Sequence, residues 1–144
     1  MLDQITARLK AALPQAVPVL QPPTGPPIPA EWQEETPEGD IKPKGRRGLL
    51  VYLEQEAPSG YVQLYDLQPM GTQSGWADQH LLTVTCTATT EALAQAVAAQ
   101  VRRTLGGTPR TGHRTRVSTP ARVTREPGSV VVTLQFTVLS AHPR

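Results

Sequence analysis

Apolar residues alternate with polar ones in two stretches of this chain and recur at helical spacing in a third. In His80-Leu81-Leu82-Thr83-Val84-Thr85-Cys86-Thr87-Ala88, the positions Leu82, Val84, Cys86 and Ala88 share one face and Leu81, Thr83, Thr85 and Thr87 the other. A period of two predicts a strand buried on one side. From Glu91 the period changes: Leu93, Ala94, Val97, Ala98, Val101 and Leu105 recur at three and four, with Glu91, Gln95, Gln100 and Arg103 off that stripe. An amphipathic helix is therefore predicted directly after the strand. Thr89 or Thr90 suits its N-cap, and Glu91 sits where the helix dipole favours an anion, Arg102 and Arg103 where it favours cations. Gly106-Gly107 is expected to take a left-handed stop. The apolar stripe is narrow and rich in alanine, which suits close packing onto a sheet.

The second alternating run is Ser129 to Ser140, where Val130, Val132, Leu134, Phe136 and Val138 interleave with Val131, Thr133, Gln135, Thr137 and Leu139. It reads as the longest strand. Antiparallel pairing with the strand at His80 is one solution, while a right-handed crossover through the helix would make that pair parallel.

Elsewhere the pattern is weaker. Leu2, Ile5, Leu9 and Ala12 or Leu13 predict a helix over residues 2–13, ended by Pro14, and Ala16 to Leu20 reads as an edge strand that tolerates Pro18. Residues 21–44 hold Pro22, Pro23, Pro26, Pro27, Pro29, Pro37 and Pro43, a spacing that excludes regular helix or a central strand and predicts an extended arm. Within it Ile28 and Trp32 are candidate anchors onto a neighbouring subunit. Lys42 to Arg47 reads as a solvated basic loop. Leu49 to Glu54 and Tyr61 to Leu67 are expected to form a hairpin through Gln55-Glu56-Ala57-Pro58-Ser59-Gly60, and Gln68 to Gln79 a polar loop. Thr108 to Gly128 reads as a long basic loop with one short strand around Ala121 to Thr124. The whole, residues 1–144, is expected to be a single domain whose core is the strand and helix at 80–105.

Composition sharpens this picture. Hydrophobic residues make up 38% and aromatics 4% of the chain, so Leu, Val, Ala and Ile must build the core, with Tyr52, Tyr61, Tyr65 and Phe136 as the few bulky pieces. A small domain with so lean a core gains from oligomerisation. Cys86 is the only cysteine; no intrachain disulfide is possible, and its place in the alternating strand predicts a buried small hydrophobe. No basic region followed by an apolar run opens the sequence, and no segment has the length of about 18 apolar residues that a membrane span needs, so a soluble, unprocessed chain with no membrane partner is predicted.

The net charge of +2 conceals a bipolar distribution. Residues 1–100 carry 6 Lys or Arg against 11 Asp or Glu, a net of −5, whereas residues 101–144 carry 8 Arg against Glu126 alone, a net of +7. Such a cationic end binds either nucleic acid or the acidic end of an identical neighbour. The candidate lumen or partner contacts are Arg110, Arg114, Arg116, Arg122 and Arg125; no aromatic interleaving or helix-turn-helix signature accompanies them. His80, His113 and His142 are each isolated, which argues against a metal site. Gly71-Thr72-Gln73-Ser74-Gly75 lacks the spacing of a nucleophile elbow, and Gly106-Gly107 follows a helix where a phosphate loop would open one. No catalytic residue, metal or cofactor is assigned, and an enzyme is not expected.

The order of elements, carried by Leu2 to Leu13, Leu81 to Ala88, Glu91 to Leu105 and Val130 to Leu139, resembles the tail terminator or tail-completion (neck) proteins of long-tailed bacteriophages. The resemblance covers the chain as a pattern, without a diagnostic motif, and the proline-rich arm exceeds what that family leads one to expect. It implies an α+β fold, a single mostly antiparallel or mixed sheet of about four to five strands with two helices packed on it, assembled as a homohexameric ring. The ring would cap the tail tube, end its polymerisation and join it to the head connector, with DNA passing through the lumen without sequence-specific binding. The implied location is the virion tail or neck, assembled in the host cytoplasm. Another head-tail connector protein, or a stand-alone basic nucleic-acid-binding module, is the alternative.

Overall fold

A computed structural model describes residues 2–22, 33–39, 41–43, 47–73, 77–106 and 114–141. The elements run α1 (Leu2–Ala12), β1 (Val19–Leu20), β2 (Gln33–Glu35), β3 (Ile41–Pro43), α2 (Arg47–Gln55), β4 (Tyr61–Leu64), β5 (Gln68–Gln73), β6 (Ala77–Ala88), α3 (Glu91–Leu105), β7 (Arg114–Glu126) and β8 (Ser129–Ala141). The fold is α+β. One mixed six-stranded sheet has the order β1-β4-β6-β8-β7, with β5 pairing β6 beyond β4, and β2 and β3 form a separate two-stranded sheet.

Strands β6 and β8 form the centre. They pair antiparallel in unbroken register from Ala77 opposite Ala141 to Ala88 opposite Val130, which resolves the pairing that the sequence pattern left open. The helix does provide a crossover, but it leads to β7. Both β6 and β7 run antiparallel to β8, so they are parallel to each other with β8 threaded between them. A second parallel pair, β1 with β4, joins Val19 to Val62. Parallel neighbours need a crossover connection, and here the proline-rich stretch and α2 supply it.

One face of the sheet carries α1 and α3. Leu82, Val84, Cys86, Ala88, Val132, Leu134, Phe136 and Val138 are buried there against Ala94, Val97, Ala98, Val101 and Leu105 of α3 and Ile5 and Leu9 of α1. Small Ala94 and Ala98 let α3 approach the sheet closely, as the alanine-rich stripe predicts. Thr90 caps α3 with φ −127° and ψ 156°, its hydroxyl accepting from the Leu93 amide at 3.3 Å. Gly106 ends the helix in a right-handed conformation, φ −79° and ψ −15°, donating to the Arg102 carbonyl at 2.7 Å. The expected left-handed stop is therefore not at Gly106, and Gly107 lies outside the described residues. Arg8 of α1 donates to the Thr104 carbonyl at 2.8 Å, placing a cation at the negative end of α3.

Among the described residues, the other face is covered only in part, by α2. Leu49 to Glu54, expected as a strand, belongs to helix α2. A short apolar run does not distinguish the two periods, and the residues that pack are Leu49, Tyr52 and Leu53, at helical spacing, around Tyr61 and Leu20. Tyr52 and Tyr61 meet edge to face at 5.5 Å. With a helix on either side, all four residues of β4 are buried. Leu50 reaches the β7–β8 turn, where a Cβ on Gly128 would come within 2.8 Å of it.

Two expected loops are also strands. Gln68 to Gln73 pairs with the first half of β6, with a register shift at Pro69/Gly71, so the predicted polar loop contains β5 and the start of β6. Most of the predicted basic loop is β7, thirteen residues long and paired along β8. Its pattern is polar because it is an edge strand, and two register shifts, between Val117 and Thr119 and between Thr119 and Arg122, break the alternation. The edge strand expected at Ala16 to Leu20 shrinks to Val19–Leu20. The sheet thus has more strands, and the molecule one more helix, than expected. Among the described residues no helix is long and apolar enough to cross a membrane.

Three expected outcomes follow from this packing. Val97 is 6% exposed between α3 and the sheet, so Val97→Asp buries an unpaired carboxylate at a cost of more than about 4 kcal/mol; circular dichroism should show an unfolded chain, and a folded variant would mean the stripe is misassigned. Gly60 has φ +101°, and a Cβ there would lie 2.8 Å from the Thr87 carbonyl oxygen. Gly60→Ala should therefore cost about 1–3 kcal/mol, read as a lowered urea midpoint. Burial pushes the Cys86 thiol up to about 12. Folded protein should then resist a thiol reagent at pH 8 and react once denatured; rapid labelling of the native chain would place Cys86 on the wrong face.

Candidate interaction surface

The arginines proposed from sequence do not form one loop cluster. The ladder sets Arg114 opposite Leu139, Arg116 opposite Thr137, Arg122 opposite Thr133 and Arg125 opposite Val130. Directly paired residues of an antiparallel ladder lie on the same face. Val130 packs against the helix-side core together with Ala121 and Val123, so Arg125 is turned toward α3, where it grips Glu91 with two hydrogen bonds of 2.9 and 2.8 Å. The pair is open to water, with side chains 66% and 43% exposed, and is worth about 0–1 kcal/mol. Its geometric effect is larger than its energy. It ties the end of β7 to the start of α3 and removes Arg125 from the opposite face.

Arg122 belongs to that opposite face. With Pro120 of β7 and Thr133 and Gln135 of β8 it lines an open hollow of about 270 Å³. Across β8 the ladder continues to β6, Thr133 opposite Thr85 and Gln135 opposite Thr83, all four half-buried. Among the described residues this part of the sheet is therefore a patch of hydroxyl and amide groups with an exposed guanidinium at its margin. Among the described residues no carboxylate pairs with Arg122, in contrast to Arg125. A planar guanidinium flanked by neutral hydrogen-bonding groups suits carboxylate or phosphate oxygens.

At the other edge, Tyr65 and Met70 are, among the described residues, the large hydrophobic side chains that stand exposed, 45% and 52%; they sit beside β4 and in β5. Tyr65, expected as one of the bulky pieces of the core, instead lies just past the end of β4 and outside the buried face; Met70 carries no periodic signal in its polar stretch.

The chemistry of catalysis finds no assembled set among the described residues. No group of three His, Cys, Asp or Glu converges as a metal site. His80 lies in register with Val138 and Pro69, and its buried Nδ1 has no hydrogen-bond partner among the described residues. Tyr61 is held above its ordinary value by burial, a hydrogen bond with Thr87 opposing the shift, and Tyr52 is raised by burial first and by Tyr61 second; both serve the small core beneath α2. The candidate arm anchors Ile28 and Trp32, together with Arg110, His113 and His142, lie outside the described residues.

No family model and no curated protein matches the sequence. Solved structures do match in shape. One is a chain of the virion of a native gene transfer agent particle, 15% identical, with a TM-score of 0.50 over 94% of this chain and 82% of that one. Another, a chain whose name states no function, is 17% identical, with a TM-score of 0.52 over 100% of this chain and 99% of that one. At such identities the likeness is one of fold, and it extends over 94% or more of this chain.

Proposed function

We propose that this chain is a structural subunit of a phage-like virion, of the tail-terminator kind. A homohexameric ring of it caps the tail tube, ends tube polymerisation and joins the tail to the head connector. The observation that carries the reading is the fold shared, over 94% of the chain, with a component of a gene transfer agent virion. Physical features support it. The core is lean in aromatics, and the polar sheet face around Thr83, Thr85, Thr133 and Gln135 is only half-buried, so assembly would bury surface that the isolated subunit leaves wet.

The chain's role is structural and non-enzymatic in this reading. Arginine side chains on β7 face either the lumen, where they would hold passing DNA by phosphate alone, or an adjoining ring. The exposed Tyr65 and Met70 offer an apolar anchor to a second surface, such as the tube end, as aromatic and methionine side chains do at interface centres.

Light scattering on the purified protein should return six times the subunit mass of 15.6 kDa, and electron microscopy should show rings. Added to polymerising tail-tube subunits, the protein should bind at tube ends and arrest elongation. A strict monomer at all concentrations, without effect on tube length, overturns the reading; rings that bind the head connector and ignore the tube would move the protein to another place in the neck.

A further inference from the structure

The proline-rich arm contains a structure of its own. Gln33–Glu35 and Ile41–Pro43 pair antiparallel as β2 and β3, and no ladder joins them to the main sheet among the described residues. A two-stranded hairpin is marginal in water without something to lean on. Its sequence is acidic: residues 31–40 hold Glu31, Glu34, Glu35, Glu38 and Asp40 and no cation. Register sets Glu34 opposite Lys42 and Glu35 opposite Ile41. Glu38, in the turn, is exposed and has no partner among the described residues.

The complementary surface is β7. Residues 114–125 hold four arginines and no carboxylate. One of them, Arg125, is engaged by Glu91; Arg122 is exposed at the hollow lined by Pro120, Thr133 and Gln135. The free edge of β7 is poorly suited to adding another strand, because Pro120 and two register shifts interrupt its line of backbone groups. Side-chain charge is what this strand offers.

We propose that the acidic hairpin of one copy docks on the β7–β8 face of a second copy, Glu35 and Glu38 meeting the arginines of β7 with Arg122 at the centre. The inference rests on the oligomeric reading above and names the contact that holds neighbouring copies together. It accounts for the bipolar charge, since head-to-tail contacts in a ring bring the acidic part of one chain to the basic part of the next. It also gives the hairpin a surface to lean on. Because the contact is electrostatic and solvent-facing, it weakens as salt rises.

The test uses full-length protein. Copies carrying Glu38→Cys are mixed with copies carrying Arg122→Cys and treated with a short bismaleimide; Cys86 is fully buried and stays silent. Only contact between copies can produce the cross-linked dimer in this mixture, and it is expected in good yield. In parallel, Arg122→Glu should weaken self-association at least about ten-fold by opposing like charges, and adding Glu35→Arg with Glu38→Arg should restore it. Oligomers that form normally but neither cross-link at these positions nor respond to charge reversal overturn the docking while leaving the ring intact. A strict monomer overturns both. Salt-sensitive DNA binding that Arg122→Glu abolishes, with oligomerisation unchanged, would assign the face to phosphate and likewise overturn the docking.

Discussion

The antiparallel ladder between β6 and β8 is the constraint on which the molecule depends. It brings together two runs separated by a helix and an entire further strand, and its unbroken register places Leu82, Val84, Cys86 and Ala88 beside Phe136, Leu134, Val132 and Val130 on one face. A slip of one residue would turn every one of these side chains into water. The apolar face so created is what α1 and α3 cover, and the small residues of α3 set how closely it is covered. With only one phenylalanine in the chain, Phe136 fills the middle of this layer, and aliphatic side chains must do the rest.

The second layer is asymmetric by design of the chain path. A single helix, α2, spans the end of the sheet where β4 begins, β6 ends and β7 turns into β8, linked to it through Tyr52, Tyr61 and the contact of Leu50 with Gly128. Beyond that helix the described sheet face carries threonine, glutamine and arginine, with half-buried Leu81 and Leu139 farther along it. A sheet of this kind presents a flat, largely hydrogen-bonding surface, and a flat polar surface suits docking between folded subunits better than enclosure of a small molecule. The same asymmetry separates the arginines. Arg125 staples β7 to the helical layer through Glu91, while Arg122 remains on the open side.

The arm has a topological duty alongside its proposed role as a contact. Parallel strands β1 and β4 cannot be joined by a tight turn, so residues between Leu20 and Tyr61 must travel over the molecule. Long connections of this sort are costly in entropy unless they find something to bind. The acidic hairpin within that connection, with Glu38 exposed in its turn, would recover part of that entropy if it docks as proposed.

The strand at His80, the helix from Glu91 to Leu105, the terminal strand and the N-terminal helix are legible in the residue pattern, because each pairs a long run with a clear period and one side of it is buried. So are the burial of Cys86 and the segregation of charge. The remaining elements owe their state to contacts made far along the chain. Leu49 to Leu53 is too short and too uniformly apolar for its period to speak, so its helical state was set by the Tyr52 and Tyr61 contact. β7 and β5 are edge strands with polar residues on both faces, and their extended state comes from hydrogen bonds donated by neighbours, a cause that no local pattern records. For the same reason the split of the arginines between two faces was invisible beforehand. Which face an arginine takes depends on register, and register on this edge is reset twice by bulges that only pairing with β8 creates.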